Sequence, residues 1–160
     1  MITSFPPIIS EKPLVLILGT VPSIKSLEKR QFYGHPQNAF WRIMFRLFDE
    51  AHSDSYDDRI NLILSHNLAL WDVLKSCERE GSLDSSIKNP VPNDLMGVYN
   101  AHPTIRYVVL NGGGAYNFYR KLIRPSLPVP AIKMPSTSPA NARLTFEDKL
   151  ESWMEILEFL

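Results

Sequence analysis

The sequence predicts an α/β protein built as a three-layer α/β/α sandwich around a central four-stranded parallel sheet. Short apolar runs alternate with amphipathic segments of helical periodicity, an order typical of parallel sheets covered by helices. The chain has 160 residues, of which 44% are hydrophobic and 21% charged, which is enough for one buried core. No repeat, low-complexity stretch or linker divides it, so we predict a single domain over residues 1–160.

Four apolar runs are predicted to form the strands of the sheet. The first, residues 14–18, is continuous and stops at Gly19, as expected for a strand buried on both faces. The other predicted strands cover residues 68–73, 105–110 and 128–134. The intervening segments 20–37 and 76–93 are polar or rich in turn-forming residues and are predicted as loops.

The helices are predicted from the spacing of their apolar residues. Five large side chains of residues 38–48 fall on one helical face: Phe40, Trp41, Met44, Leu47 and Phe48. Further helices are predicted over residues 57–66 and 115–123, and a short one ends at Ala101. The last helix is predicted to begin at Thr145, which forms a capping box with Asp148. Its expected core stripe is Phe146, Leu150, Trp153, Met154 and Leu157.

The composition excludes several classes of protein. The single cysteine, Cys77, excludes an intramolecular disulfide framework and any zinc or iron–sulfur site built from several cysteines. The N-terminal segment has no basic region and is interrupted by prolines, unlike a secretory signal. The longest apolar run is too short to cross a bilayer. We expect a monomeric cytoplasmic protein with no membrane partner.

The charges are balanced in number but unevenly distributed. The chain has 17 basic and 17 acidic residues, yet residues 25–46 carry a net charge of +4 and residues 103–143 a net charge of +6. Segregation of this kind can produce one cationic face that binds nucleic acid. The alternative, that these charges only solvate loops and helix surfaces, remains open at this point.

Three loops leave the carboxyl ends of predicted strands, the edge at which ligands bind in open parallel sheets. The first of these loops covers residues 19–37, and Asn38 follows it at the point where a helix begins. Asn38 is therefore either an N-cap or an amide that holds a water or polarises a substrate. Tyr33 either packs on Pro36 or stacks on a flat ring such as a base. His35 precedes a proline, a position at which histidine is commonly a structural hydrogen-bonding residue.

The other two loops are residues 111–114 and 135–141. Asn111 starts a run of three glycines that matches neither Walker A nor GxGxxG. Its amide either reads the edge of a base or closes a turn. The loop 135–141 offers hydroxyl donors for phosphate oxygens on a backbone stiffened by two prolines, although such clusters are also ordinary loop sequence.

Together these segments resemble the uracil-DNA glycosylase superfamily, and most closely its branch of deoxyinosine (hypoxanthine) DNA glycosylases. The matching segments are Gly19-Thr20-Val21-Pro22-Ser23, Tyr33 to Trp41 with its HPxNxFW block, Leu110-Asn111-Gly112, and Met134 to Ala142. The resemblance covers about residues 3 to 160 and implies a uracil-DNA glycosylase-like fold. The HPxNxFW block is its most specific part.

One position of the first motif distinguishes two branches of this family. The mismatch-specific branch carries a catalytic Asn in its first motif, where this sequence has Val21. The deoxyinosine branch also lacks that Asn and uses the amide of the HPxNxFW block, which corresponds to Asn38. The resemblance therefore implies that Asn38 is the catalytic residue, a role compatible with capping a helix.

The implied reaction is monofunctional hydrolysis of the N-glycosidic bond of deaminated bases in DNA, chiefly hypoxanthine and secondarily uracil or xanthine, in base excision repair. The implied base-binding residues are Tyr33, Asn111, Thr20, Val21 and His35. The implied DNA-binding residues are Ser23, Lys25, Ser26, Ser136, Thr137, Ser138, Asn141 and Arg143. Double- or single-stranded DNA is the expected partner, which implies association with the nucleoid if the source is prokaryotic. Neither a metal nor a cofactor is expected, because no ligand spacing indicates one.

Three alternatives remain open from the sequence. A mismatch-specific uracil/thymine glycosylase would share the motifs but prefer another base. A catalytically silent relative would bind DNA without hydrolysing it. A small-molecule-binding α/β protein would show no salt-dependent affinity for duplex DNA.

Overall fold

A computed structural model describes residues 1–160, and its strands form two sheets. The strands are β1 (Ile2–Thr3), β2 (Val15–Gly19), β3 (Leu68–Asp72), β4 (Leu74–Glu78), β5 (Lys88–Pro92), β6 (Tyr107–Asn111) and β7 (Ala131–Met134). The main sheet has the order β3-β2-β6-β7, and all of its pairings are parallel. The predicted four-stranded parallel sheet is confirmed, with boundaries that shift by one to three residues.

Six helices accompany the sheets. They are α1 (Ile24–Lys29), α2 (Phe40–Leu47), α3 (Tyr56–Ser65), α4 (Leu95–Ala101), α5 (Gly113–Leu122) and α6 (Phe146–Trp153). Two short 3₁₀ segments, Asp84–Ser86 and Met154–Phe159, complete the structure. No helix combines the length and the apolar character that crossing a membrane requires.

The central sheet has a hydrophobic core on each face, which confirms the three-layer sandwich. Alternate residues of β2 point to opposite sides, because side chains alternate along a strand. Val15 and Ile17 join a core with α2, α3 and α6, whereas Leu16 and Leu18 join a second core with α4, α5 and β4. The continuous apolar pattern of residues 14–18 follows from burial on both sides.

Two predicted loops contain regular structure. Residues 20–37 include α1, whose N-cap Ser23 accepts a hydrogen bond from the backbone N–H of Ser26. Residues 76–93 contribute to an antiparallel sheet of order β1-β4-β5. The pairing of β4 with β5 shifts register twice, so its polar side chains show no clean alternation, and the period-two signal that marks a strand is absent.

The last helix begins as predicted but ends differently. The capping box between Thr145 and Asp148 is present. The expected burial of Met154 and Leu157 is wrong, since they are 48% and 39% exposed. After Trp153 the chain tightens into a 3₁₀ segment with about three residues per turn, so positions three apart, including Ile156, face the core.

The C-terminal segment offers a direct test of this packing. We expect Ile156→Ala to lower the free energy of unfolding by about 2–5 kcal/mol, because it leaves a cavity in the core. The matched variant Leu157→Ala, at an exposed position, should change it by only about 0.5 kcal/mol. Urea denaturation measures both values, and a larger loss for Leu157→Ala would show that the α-helical periodicity continues to the C-terminus.

Candidate active site

Three strands of the central sheet end around one cleft. The last residues of β2, β3 and β6 are Gly19, Asp72 and Asn111, and all three line this cleft. Gly19 and Asp72 are partners in the parallel ladder. We call this site the strand-end cleft, and all three loops that the sequence predicted at this edge of the sheet contribute residues to it.

Asn38 lies on the wall of the strand-end cleft and is half-buried. The helix α2 begins two residues later than predicted, at Phe40, with Ala39 in the N-cap position. The Asn38 side chain still serves the helix, because the Phe40 backbone N–H donates to its Oδ1 at 2.9 Å. The carboxamide nitrogen is not needed for this bond, so it remains available to a ligand in the cleft.

Tyr33 contributes its ring and its hydroxyl to the cleft. The ring stacks on Phe40 with centroids 4.0 Å apart, so one face is already covered by protein rather than by Pro36 or a base. The hydroxyl is buried without a hydrogen-bond partner. Burial and the nearby Asp72 charge raise the pKa of Tyr33, an effect that Asn111 partly offsets, so the hydroxyl stays protonated.

Asn111 is engaged in a reciprocal pair of hydrogen bonds with Thr137. Its Nδ2 donates to Thr137 Oγ1 at 2.9 Å, and its Oδ1 accepts from the Thr137 backbone N–H at 3.0 Å. Thr137 is only 1% exposed, so the predicted phosphate contact at Thr137 is wrong. These two hydrogen bonds hold the loop 135–141 against the end of β6. Asn111 retains one amide hydrogen for a ligand.

The glycine run beginning at Gly112 has a local structural reason. Gly112 adopts φ = 97°, a conformation that favours glycine. A Cβ at this position would lie 2.8 Å from the Ser136 Cβ. The group that approaches Gly112 closely is therefore the loop that carries Ser136.

The remaining predicted DNA-binding residues fall into two groups. Ser23, Ser136 and Ser138 line the strand-end cleft, and Asn141 supports that wall by donating to the Ser136 carbonyl. Lys25 and Arg143 are exposed outside it, where Lys25 forms an ion pair with Glu28 at 3.4 Å.

Two further predicted residues lie in positions that contradict the prediction. Ser26 borders the cleft but is only 3% exposed, and its hydroxyl accepts from the Gly34 N–H at 3.0 Å, so it braces the first loop instead of being free for a phosphate. His35 lies outside the strand-end cleft, in a neighbouring depression lined also by Arg42 and Arg59. Its Nδ1 accepts from the Gln37 N–H at 3.0 Å, a local bond within the first loop. By contrast, Thr20 and Val21 line the cleft as expected.

Sequence reasoning missed two carboxyl groups in the strand-end cleft, Asp72 and Asp84. Asp72 is 4% exposed, and its Oδ2 has no hydrogen-bond partner. Asp84 accepts a hydrogen bond from the Thr20 hydroxyl at 2.8 Å. The position of Asp72 at the carboxyl end of a strand was a signal that could have identified it, whereas Asp84 lies in a segment whose pattern predicted no structure.

Burial controls the ionisation of these carboxyl groups. Desolvation, followed by repulsion from Asp84, raises the pKa of Asp72 to about 7, although Arg79 opposes the shift. Burial also raises the pKa of Asp84, but the Thr20 hydrogen bond and Arg79 favour its charged form. No Lys, Arg or His lines the cleft, so its interior is acidic and one of its carboxyls titrates near neutral pH.

A cationic cluster lies beside the same site. Arg42 and Arg46 project from α2 over the Phe146 ring, at 4.5 and 5.9 Å from its centroid, and neither pairs with a carboxylate. Lys149 is buried and its Nζ donates to the Ser138 carbonyl at 3.4 Å. Burial and then Arg42 lower the pKa of Lys149.

No group of three or more potential metal ligands occurs in the structure.

Comparison with known proteins agrees with this geometry. The profile of the "Uracil DNA glycosylase superfamily" matches residues 6–157. The chain belongs to this superfamily. A hypoxanthine DNA glycosylase of Methanosarcina acetivorans is 36% identical over 142 residues, covering 88% of this chain and 89% of the relative. One of Methanosarcina barkeri is 38% identical over 109 residues, covering 68% and 69%.

A solved structure shows the same fold. The solution NMR structure of a candidate uracil DNA glycosylase from Methanosarcina acetivorans superimposes with a TM-score of 0.82 at 34% identity, covering 99% of both chains. The family resemblance carried by the motifs is therefore confirmed, as is the fold that it implied. The roles of individual site residues stay predictions.

The buried Asp72 has a measurable consequence for stability. Its unfolded pKa is near 3.8 and its folded pKa about 7, so the folded state holds a proton that the unfolded chain has lost. Stability should therefore fall between about pH 4 and pH 7 and then level off. We expect Asp72→Asn to raise the melting temperature by several degrees at pH 8 and much less at pH 5.

The matched control is Asp57→Asn, which alters an exposed carboxyl on α3. It should change the melting temperature by a similar small amount at both pH values. An Asp72→Asn variant whose effect did not depend on pH would show that this carboxyl is ionised normally in the folded protein.

Proposed function

We propose that this chain is a monofunctional DNA glycosylase that hydrolyses the N-glycosidic bond of hypoxanthine in DNA, with uracil or xanthine as secondary substrates. The observation that carries the proposal is Asn38, whose amide faces a cleft built from three strand ends. The names of the two archaeal relatives support hypoxanthine as the main base. The activity belongs to base excision repair.

The proposed reaction begins with extrusion of the nucleotide, because the C1′ atom is inaccessible inside a duplex. Extrusion costs a few kcal/mol, and least for a mispaired base. Asn38 then holds the water that attacks C1′ of an oxocarbenium-like sugar. A carboxamide is not a general base, so positioning and electrostatics must supply most of the rate. Val21 lines the cleft but has an apolar side chain, which cannot hold the water.

The DNA partner is proposed to lie across the mouth of the cleft. Ser136 and Ser138 lie on a loop that is fixed at both the Asn111 and Lys149 side chains. Arg42 and Arg46 are exposed cations without acidic partners. These groups match what a phosphate backbone requires. We propose binding of damaged duplex or single-stranded DNA by a monomer, and a cytoplasmic location, which suits the buried unpaired Cys77.

The proposal is tested by replacing Asn38. We expect Asn38→Ser to reduce excision of hypoxanthine by about 100-fold or more, a typical loss for a group that acts in the transition state, while DNA affinity persists. A serine oxygen can still accept the Phe40 N–H and cap α2. Excision is measured as alkali-labile sites in DNA carrying inosine, uracil or xanthine.

The control is Gln37→Ala, which alters the exposed neighbouring residue and should leave excision unchanged. Unchanged turnover in Asn38→Ser would remove Asn38 from the mechanism. Wild-type excision of uracil far above that of hypoxanthine would assign the chain to a uracil-preferring activity, and DNA binding without excision of any base would make it a silent relative.

The cationic cluster predicts a salt-dependent affinity for DNA. We expect the double variant Arg42→Ala/Arg46→Ala to weaken DNA binding and reduce the slope of log affinity against log salt by about 2, since each phosphate contact contributes about 1. Arg106→Ala is the matched control, because Arg106 precedes β6 at the opposite edge of the sheet. Equal effects of both variants would exclude a dedicated DNA-binding face.

A further inference from the structure

Asp72 has no part in the water attack described above, yet its side chain faces the strand-end cleft. It ends β3 opposite Gly19, is 4% exposed, and its Oδ2 accepts no hydrogen bond. A buried carboxyl oxygen without a partner is costly. Such a group is expected to carry a proton or to meet a ligand that enters the cleft.

Burial is the main reason that the pKa of Asp72 is raised, and three groups around it also affect its charge. Burial raises the pKa of Asp84, in the 3₁₀ turn, but Asp84 accepts a hydrogen bond from Thr20 that opposes this shift, and Asp72 has no such bond at Oδ2. Arg79 donates to the carbonyls of Pro22 and Gly81, so it is a nearby cation but not a direct partner. The Tyr33 hydroxyl is neutral and buried. Of the two carboxyls, Asp72 is therefore the one that holds a proton near neutral pH, in agreement with its pKa of about 7.

The space next to Asp72 is kept open by Gly19. A Cβ on this residue would lie 2.7 Å from Asp72 Oδ1 and 3.0 Å from the Tyr33 hydroxyl. Because Gly19 has no side chain, both polar groups approach the end of β2 from within the cleft. An extruded base that reaches the floor of the cleft would meet these two groups first.

The chemistry of the departing base gives such an acid a use. When the glycosidic bond breaks, its electron pair stays on the base, and uracil then departs as an anion. A purine has other ring nitrogens that can take a proton, which makes the departing base neutral. A cleft with two carboxyls and no cation in its wall disfavours an anionic leaving group and favours a protonated one.

We propose that Asp72 is the general acid of the reaction and gives its proton to a ring nitrogen of the extruded hypoxanthine as the C1′–N9 bond breaks. The bonding pair moves to N9, and the base leaves as neutral hypoxanthine. The water held by Asn38 forms the new C1′–O bond and releases a proton, which restores the Asp72 carboxyl through solvent. The proposal rests on the proposed function and explains a preference for purines over uracil.

The test compares leaving groups that do and do not need a proton. Excision by wild type and Asp72→Asn is measured under single turnover on DNA carrying inosine, 7-methylinosine or uracil, after subtracting spontaneous base loss. We expect Asp72→Asn to lose about 100-fold or more on inosine, the usual contribution of a general acid. On 7-methylinosine, whose base already carries a positive charge, and on uracil, it should stay within about threefold of wild type.

Asn38→Ser separates this role from the water-holding role. It should lose activity on inosine and 7-methylinosine alike, because both need the water. The pH profile gives a second readout: wild-type excision of inosine should fall above about pH 7 as Asp72 loses its proton, and this decline should be absent from Asp72→Asn.

The outcomes are distinct. Equal losses of Asp72→Asn on inosine and 7-methylinosine would show that Asp72 positions the base or supports the fold, and would overturn the proposal. An unchanged rate on inosine would do the same. If the wild-type protein excised none of the bases, the proposed function itself would fail, which differs from a loss confined to Asp72→Asn.

Discussion

The parallel hydrogen-bond ladder of the central sheet is the constraint on which the site depends. It sets β2 between β3 and β6, with Gly19 paired to Asp72. The three strands therefore end together, and the residues that follow them are brought around one cleft although they lie far apart in the chain. Side chains at these ends are positioned by backbone geometry, which leaves them little freedom to move apart.

The loop 135–141 is the second element that shapes the cleft, and it is held from several directions. The Asn111 side chain bonds to Thr137, and the Ala39 N–H donates to the Thr137 carbonyl at 3.0 Å. The Trp153 indole donates to the Pro135 carbonyl at 2.9 Å. Because these bonds link the loop to β6, α2 and α6, the wall next to Asn38 is preformed. A preformed wall reduces the entropy lost when a substrate binds.

The chain has no net charge, but its acidic and basic side chains are separated in space. This separation matches a base inside the cleft and a phosphate backbone outside it. Carboxyl groups lie inside the cleft, where Asp72 and Asp84 would face a base. The cations Arg42 and Arg46 lie on the exposed side of α2. Phosphates of bound DNA would be attracted to the arginines on α2 without neutralising the carboxyl groups inside the cleft, because each charge acts mainly over short distances in salt.

The sequence by itself determined the local features of this protein. Apolar runs located the four central strands, and the spacing of apolar residues located the helix carrying Phe40. The pair Thr145 and Asp148 located the start of the last helix. All three patterns depend only on near neighbours in the chain. Several short motifs together, of which the block around Asn38 is the most specific, indicated the family. Irregular segments such as β4 and β5 carried no comparable signal, and α1 is only six residues long.

Only the tertiary structure decided which polar residues share the cleft. It showed that Ser26 and Thr137 are buried and hydrogen-bonded within the protein, placed His35 in a neighbouring depression, and added Asp72 and Asp84 to the cleft. It also exposed Met154 and Leu157 and buried Ile156 and Phe159 of the same 3₁₀ segment. The physical reason is that burial and hydrogen-bond partners depend on contacts between residues remote in sequence, which local spacing does not encode.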